Sequence, residues 1–211
     1  AQGLGPGGDA ALFAAARRFG DGVTIAWPSD VPGWDPNRRF MPDAQSLYRM
    51  VFDPALDQEP RLALAPGVVR AWELAEDAMS LSLELRDDVV FHDGSPLTSA
   101  DLRWTFLERP RAEPGLDLFH AWGRLAAVET PGPTRAVMRF EAPFATAPLW
   151  LGFLGAFVVP AAAMQRMGSA AFARRPVGSG PYRMVEHEPG ARMVLERNAR
   201  ARYADNARGV D

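Results

Sequence analysis

The side chains able to do acid–base, nucleophilic or metal chemistry are few and scattered. His92, His120 and His187 are the only histidines, and there is no Cys, so neither a disulfide nor a thiolate site can form. None of the histidines lies in a zinc-ligand spacing. His92 stands in Phe91-His92-Asp93-Gly94, where a strand-to-helix turn gives it the character of a structural hydrogen-bonder rather than a ligand. Ser179, in Gly178-Ser179-Gly180, is not in a G-x-S-x-G elbow and has no marked His or Asp partner. The 26 carboxylates are spread along the chain without singling out an acid pair. No metal, cofactor or catalytic group is therefore expected.

The aromatic side chains suit a different chemistry. Trp27 and Trp34 sit at or beyond the end of a β-rich run, and open α/β sheets bind ligands outside the carboxyl ends of their strands. Large aromatics on irregular loops bury much area with few rotatable bonds, which suits a solute wall. The competing reading is that each Trp packs beneath its own loop. Trp72 and Trp104 fall within regular elements and are expected in the core. Arg38 and Arg39 either attract a carboxylate or form solvated surface.

The elements that must position these residues are legible in outline. Val23–Trp27 reads as a strand closed by Pro28, and Pro28–Pro42 holds four prolines and is irregular. Asp43 is placed to cap a helix reaching about Phe52. Met79–Leu85 alternates apolar and polar without a fault, as an antiparallel strand with one wet face does. His92-Asp93-Gly94 is a turn, Thr98 and Asp101 form a capping box, and Leu97 and Leu102 form a hydrophobic staple. Arg109-Pro110 is expected to end that helix and Pro110–Gly115 to be a linker. A hairpin follows, Ala127–Glu129 against Arg135–Phe140 around Thr130–Pro133. Leu149–Val159 reads as a buried strand and Pro160–Ala173 as a helix. After the loop Pro176–Pro181, Tyr182–His187 and Arg192–Arg197 pair around a type II turn, Glu188–Ala191. No internal repeat is present.

Composition narrows the classes. The chain of 211 residues is 47% hydrophobic and 23% charged, ordinary for a protein with a sizeable core. A net charge of −3 leaves no electrostatic footprint for nucleic acid. All 23 basic residues are Arg, which with the abundance of Ala, Gly and Pro reads as a GC-rich coding bias. The longest apolar run, Leu149–Met164, is too short to span a membrane and contains Pro160. Gly3–Gly8 satisfies G-x-G-x-x-G, but no strand precedes it, so a dinucleotide site is not expected. The chain opens on Ala rather than Met, and Ala14-Ala15-Ala16 lacks the charged and apolar stretches of a signal peptide.

Several separated strings then agree. Phe91–Phe106 (F-H-D-G-S-P-L-T-S-A-D-L-R-W-T-F), Trp34-Asp35-Pro36, Leu64–Glu73, Pro176–Tyr182 (P-V-G-S-G-P-Y) and Leu195-Glu196-Arg197-Asn198 resemble, in order, the signatures of family 5 extracellular solute-binding proteins. Those are the oligopeptide, dipeptide and nickel receptors of ABC importers. The resemblance runs from about Val23 to Asp211. It implies an α/β, periplasmic-binding-protein-like first lobe of a two-lobe receptor. Residues 1–20 would be a leader and 21–211 an incomplete lobe, with about 45–150 an inserted β-rich subdomain and 21–44 with 151–211 the main one. Family members are well over twice as long, Asn206–Asp211 lacks the usual Pro of the crossing to the second lobe, and Ala204 replaces an expected Trp. A second lobe is thus not expected within this chain.

By the same resemblance, the function expected is capture of a peptide or similar polar solute in the periplasm for an ABC importer permease. The protein would be exported, without its signal peptide here, and meet the membrane only through the importer. The resemblance places the loop before Tyr182 at the cleft, so Tyr182 and groups around Gly178 and Ser179 join Trp27 and Trp34 as expected ligand contacts. Two alternatives stay open: an exported hydrolase sharing an α/β lobe, and a lobe-only scaffold or interaction protein.

Overall fold

The faultless alternation of Met79–Leu85 marks the centre of the main sheet. In the computed structural model, which describes residues 17–19, 22–27, 30–59, 63–153 and 156–201, the protein divides into two units, residues 1–30 and 31–211. The first is described through a short antiparallel pair, β1 (Arg17–Phe19) and β2 (Gly22–Thr24), with Arg18 opposite Val23. The strand expected over Val23–Trp27 therefore ends at Thr24. Its described partner runs antiparallel, so it is not shown as part of an open parallel sheet. The Gly3–Gly8 string, Ala14–Ala16 and the C-terminal stretch around Ala204 lie outside the described residues.

The second unit opens on an irregular loop and helix α1 (Pro42–Val51), followed by the short pair β3 (Leu56–Gln58) and β4 (Leu64–Pro66). Pro42, not Asp43, begins α1: Met41 is the N-cap, and Pro fits the first turn because it has no amide to leave unpaired. Four antiparallel strands come next, β5 (Val69–Leu74), β6 (Ser80–Leu85), β7 (Leu125–Gly132) and β8 (Arg135–Phe140), ordered β5-β6-β8-β7. Register puts Leu81 opposite Leu74 and Met138, and Leu83 opposite Trp72 and Ala136. One face thus gathers Leu81, Leu83, Leu85, Ala136, Met138 and Phe140 into the core. The other face carries solvated pairs such as Arg139 with Glu129 at 3.0 Å, as a pleat with one wet side requires.

The Phe91–Phe106 string folds as read over its first half. Gly94 has φ +86°, and the Asp93 carboxylate accepts from the Ser95 amide at 3.0 Å. Thr98 precedes α2 (Ser99–Arg103), and Asp101 Oδ2 accepts from the Thr98 amide at 2.9 Å and from its hydroxyl at 3.1 Å. Asp101 Oδ1 also accepts from the Ala161 amide at 3.0 Å, tying this cap to a second helix start.

The expected stop at Arg109-Pro110 is not there. A π-turn over Trp104–Glu108 leads into α3 (Arg109–Ala112), with the Arg109 amide donating five residues back to Trp104. The altered bonding sits directly before Pro110, whose ring and missing amide would disrupt a regular α-turn. It also points Trp104 into one cluster while Phe106 and Leu107 enter the other.

Helix α4 (Asp117–Ala121) precedes β7. Leu149–Val159, expected as one buried strand, instead begins inside helix α5 (Ala147–Gly152), with Pro148 in its first turn. Leu149 and Phe153 are exposed, Leu151 and Gly152 are buried on the helix, and Ala156–Val159 run buried, with Phe157 bridged to Pro54. An apolar run this short has no period that separates helix from strand. Gly168, at φ +77°, divides the expected Pro160–Ala173 helix into α6 (Ala161–Met167) and α7 (Ser169–Phe172). The chain then forms the antiparallel hairpin β9 (Tyr182–Glu188) and β10 (Arg192–Arg197), with Gly190 at φ +74° in its turn.

Two clusters form the core of this unit. One lies under the four-stranded sheet. The other surrounds α1 and contains Trp34, Tyr48, Phe52, Phe157 and Phe172.

Candidate functional site

The strings singled out in the sequence converge on α1 within the second unit. Trp34 is fully buried, edge-on to Tyr48 at 6.1 Å and to His187 at 5.9 Å between ring centroids. Its indole N–H donates to His187 Nδ1 at 3.2 Å. Tyr48, one turn from the end of α1, donates its hydroxyl to the Gly33 carbonyl at 2.8 Å. Burial first, and then the Asp35 charge, push the Tyr48 pKa up to about 12, so the phenol stays protonated. Trp34, expected as a ligand wall, is enclosed in this unit. The reason is that its loop folds over α1, so the indole completes a core instead of lining a surface.

The next residue fixes that loop. Asp35 is 3% exposed and Arg109, on α3, 1%; Nη1 donates to Oδ1 at 3.0 Å and Nη2 to Oδ2, a two-pronged pair. Arg109 Nε also meets Glu113 at 3.3 Å, and its guanidinium lies 5.6 Å from the Trp104 ring centre. Burial opposes the Arg109 charge, but Asp35 and Glu113 outweigh it and hold its pKa above the usual value. Sequence reasoning did not find this pair. Asp35 stood within a quoted string, but nothing at Arg109 marks it as the partner 74 positions away.

Gly178-Ser179-Gly180 packs against the C-terminal end of α1. A Cβ on Gly178 would fall 1.9 Å from the Val51 carbonyl oxygen, and one on Gly180 would fall 2.6 Å from the Val51 carbonyl carbon. Both positions therefore require the absence of a side chain. Their backbone groups, expected free for a solute, are engaged. The Gly180 amide donates to Val51 at 2.9 Å, and the Gly178 carbonyl accepts from the His92 amide at 2.7 Å. The Gly180 carbonyl accepts from Asn198 Nδ2 at 3.0 Å and pairs with His92 Nε2 at 3.2 Å. The Gly178 amide donates to His92 Nδ1 at 3.2 Å. Ser179 is buried, so its hydroxyl faces the interior. Close backbone approach at these two glycines packs the loop against α1.

His92 thus behaves as the structural hydrogen-bonder that its turn suggested. Burial, the largest influence, lowers its pKa from the usual value. Trp104 is buried and Trp72 half-buried, both against the core clusters. Tyr182, at the start of β9, is half-buried. Trp27 belongs to the first unit and is 39% exposed. Arg38 and Arg39 are exposed. Among the described residues no group of three or more His, Cys, Asp or Glu is placed to hold a metal, and no helix is long and apolar enough to cross a membrane.

What this fold and these strings define is a mixed α and β unit of the kind found in periplasmic solute receptors. The solved structure of the solute-binding protein MoaA from A. tumefaciens R10, in complex with mannopinic acid, superposes with a TM-score of 0.75 at 22% identity, over 83% of this chain and 36% of that one. The chain belongs to the bacterial extracellular solute-binding proteins, family 5, whose middle-region model matches residues 63–209. It is 29% identical over 106 residues to the nickel-binding periplasmic protein of Escherichia coli K12, half of this chain and 19% of that protein. It is 24% identical over 162 residues to a probable peptide ABC transporter periplasmic-binding protein of Sinorhizobium fredii, 74% of this chain and 28% of that protein. The chain therefore spans less than a third of the length of these two relatives.

Proposed function

We propose that this chain is part of a periplasmic receptor that captures a peptide or similar polar solute and hands it to an ABC importer permease. The single observation behind this reading is the family match over residues 63–209. Relatives named for nickel binding and for peptide transport give the candidate solutes their class. The role is binding without turnover. Tyr182 in the second unit and, taken by itself, Trp27 in the first each keep exposed surface and are each proposed as an aromatic contact.

A ligand-sized site encloses most of its ligand's surface. One wall leaves most of that surface wet, so the 211-residue chain alone should bind more weakly than micromolar. The test is calorimetric titration of the purified chain with a panel of di- to pentapeptides and with nickel–histidine chelate. Weak saturable binding without turnover supports the reading. Turnover of peptide or ester substrates that a point mutation abolishes would instead favour the hydrolase alternative, and micromolar binding would refute the one-wall argument.

A further inference from the structure

The His92 imidazole joins two strings far apart in sequence, and both of its ring nitrogens have assigned chemistry. The Gly178 amide can only donate, so Nδ1, 3.2 Å away, must be the acceptor. The Gly180 carbonyl can only accept, so Nε2, also 3.2 Å away, must carry the hydrogen. Only the neutral Nε2–H form satisfies both contacts. The Nδ1–H tautomer sets two donors face to face at Gly178 and leaves Nε2 with no hydrogen for Gly180.

We propose that His92 is a pH-sensitive latch, closed in its neutral Nε2–H form and loosened at Gly178 when acid protonates Nδ1. Adding that proton turns the acceptor into a donor opposite the Gly178 amide, while the contact to Gly180 survives. The loop keeps its other anchors, the His92 amide to the Gly178 carbonyl at 2.7 Å, Gly180 to Val51 at 2.9 Å and Asn198 to Gly180 at 3.0 Å. Acid therefore releases the Gly178 amide, while the Gly178 carbonyl and the Gly180 corner of Pro176–Pro181 stay attached.

The charged groups facing the imidazole set the direction. Arg183, on β9, disfavours a second positive charge, and Asp93, in the same turn, favours it. Arg200 approaches the turn at Gly94. Burial acts with Arg183, so the folded pKa lies below that of a free histidine. The unfolded chain consequently binds the proton first as pH falls. The latch is fully effective above the ordinary histidine pKa of about 6.5 and is lost as pH drops through the lower folded value.

His187 also accepts through Nδ1, from Trp34, so global unfolding alone cannot assign the effect. The test reads His92 itself, by imidazole nitrogen NMR on the labelled chain between pH 8 and pH 4.5, with amide exchange at Gly178 and Gly180 corrected for intrinsic rates. The expected result is an Nε2–H tautomer at neutral pH and a midpoint below that of free histidine. Gly178 protection should fall at least tenfold on protonation while Gly180 protection stays nearly constant. His92→Asn, which keeps an acceptor near the Nδ1 position, should make Gly178 protection independent of pH. An Nδ1–H tautomer, a charged His92 at neutral pH, or equal acid loss of protection at both glycines would overturn the latch. The wild-type spectra decide the matter even if His92→Asn does not fold.

Discussion

The Asp35–Arg109 pair offers the sharpest separation of scaffold from surface. Both side chains are essentially sealed from solvent, at 2% and 1% exposure. Removing one partner leaves a charge in a site built for two. In Asp35→Leu, Arg109 keeps only Glu113, whose side chain is 36% exposed and 3.3 Å away. In Arg109→Met, the Asp35 carboxylate keeps a 3.3 Å contact from the Asn37 amide. Stranding a buried charge in this way costs about 3–5 kcal/mol, whereas replacing both partners with apolar groups of similar volume is often neutral or stabilising. Asp35→Leu and Arg109→Met should therefore each destabilise by about 3–5 kcal/mol, and the double variant should lie within about 1–2 kcal/mol of wild type.

The assay is urea unfolding followed by circular dichroism, with the midpoint shift read at constant slope. Because the pair is buried, 0.5 M salt should change the single-variant costs little. Single costs below about 1 kcal/mol, the range of exposed pairs, would refute the argument. So would a double variant whose loss equals the sum of the singles, since the two groups would then be uncoupled.

Three further outcomes follow from the same geometry. Gly178→Ala, whose new Cβ would fall 1.9 Å from the Val51 oxygen, should lose at least the 1–3 kcal/mol of ordinary overpacking, roughly, whereas Gly132→Ala, with nothing within 4 Å, should stay within about 0.5 kcal/mol by the same unfolding assay. Trp34→Ala should cost about 3–5 kcal/mol as a large core truncation, and Trp27→Ala, at 39% exposure, about 0.5 kcal/mol or less; equal thermal shifts would contradict this. Asp101→Ala should destabilise more than Thr98→Ala, because it removes the acceptor for Thr98 and Ala161 together; Thr98→Ala should fall in the range of about 0.5–2 kcal/mol for a lost cap, with melting temperatures giving the order.

Where local chemistry dictates the outcome, the sequence was enough. Met79–Leu85 alternates because one face is wet, and the strand Ser80–Leu85 buries Leu81, Leu83 and Leu85 as read. Pro189-Gly190 makes the turn of the last hairpin because Gly190 takes positive φ. Pro110 was misjudged because a π-turn directly precedes it, a turn that also sends Trp104 and Phe106 into different clusters and that no local string announces. The same limit hid the role of Gly178 and Gly180. A glycine announces close approach to something, but its string does not say whether that is a solute or the end of a helix. The burial of Trp34 was hidden alike, since an aromatic on a Pro-rich loop reads the same above the surface or beneath it.

The strings that carry the family likeness direct their polar groups toward one another. Asp35 of Trp34-Asp35-Pro36 holds Arg109, within the helical stretch that follows the Phe91–Phe106 string. His92 of that string holds Gly178 and Gly180, and Asn198 of Leu195–Asn198 holds Gly180 as well. These contacts therefore fix how the unit closes around α1. They also give a direction for mutagenesis. Substitutions at the interlocked groups Asp35, His92 and Asn198 should lower the urea unfolding midpoint, whereas Trp27→Ala should leave it nearly unchanged.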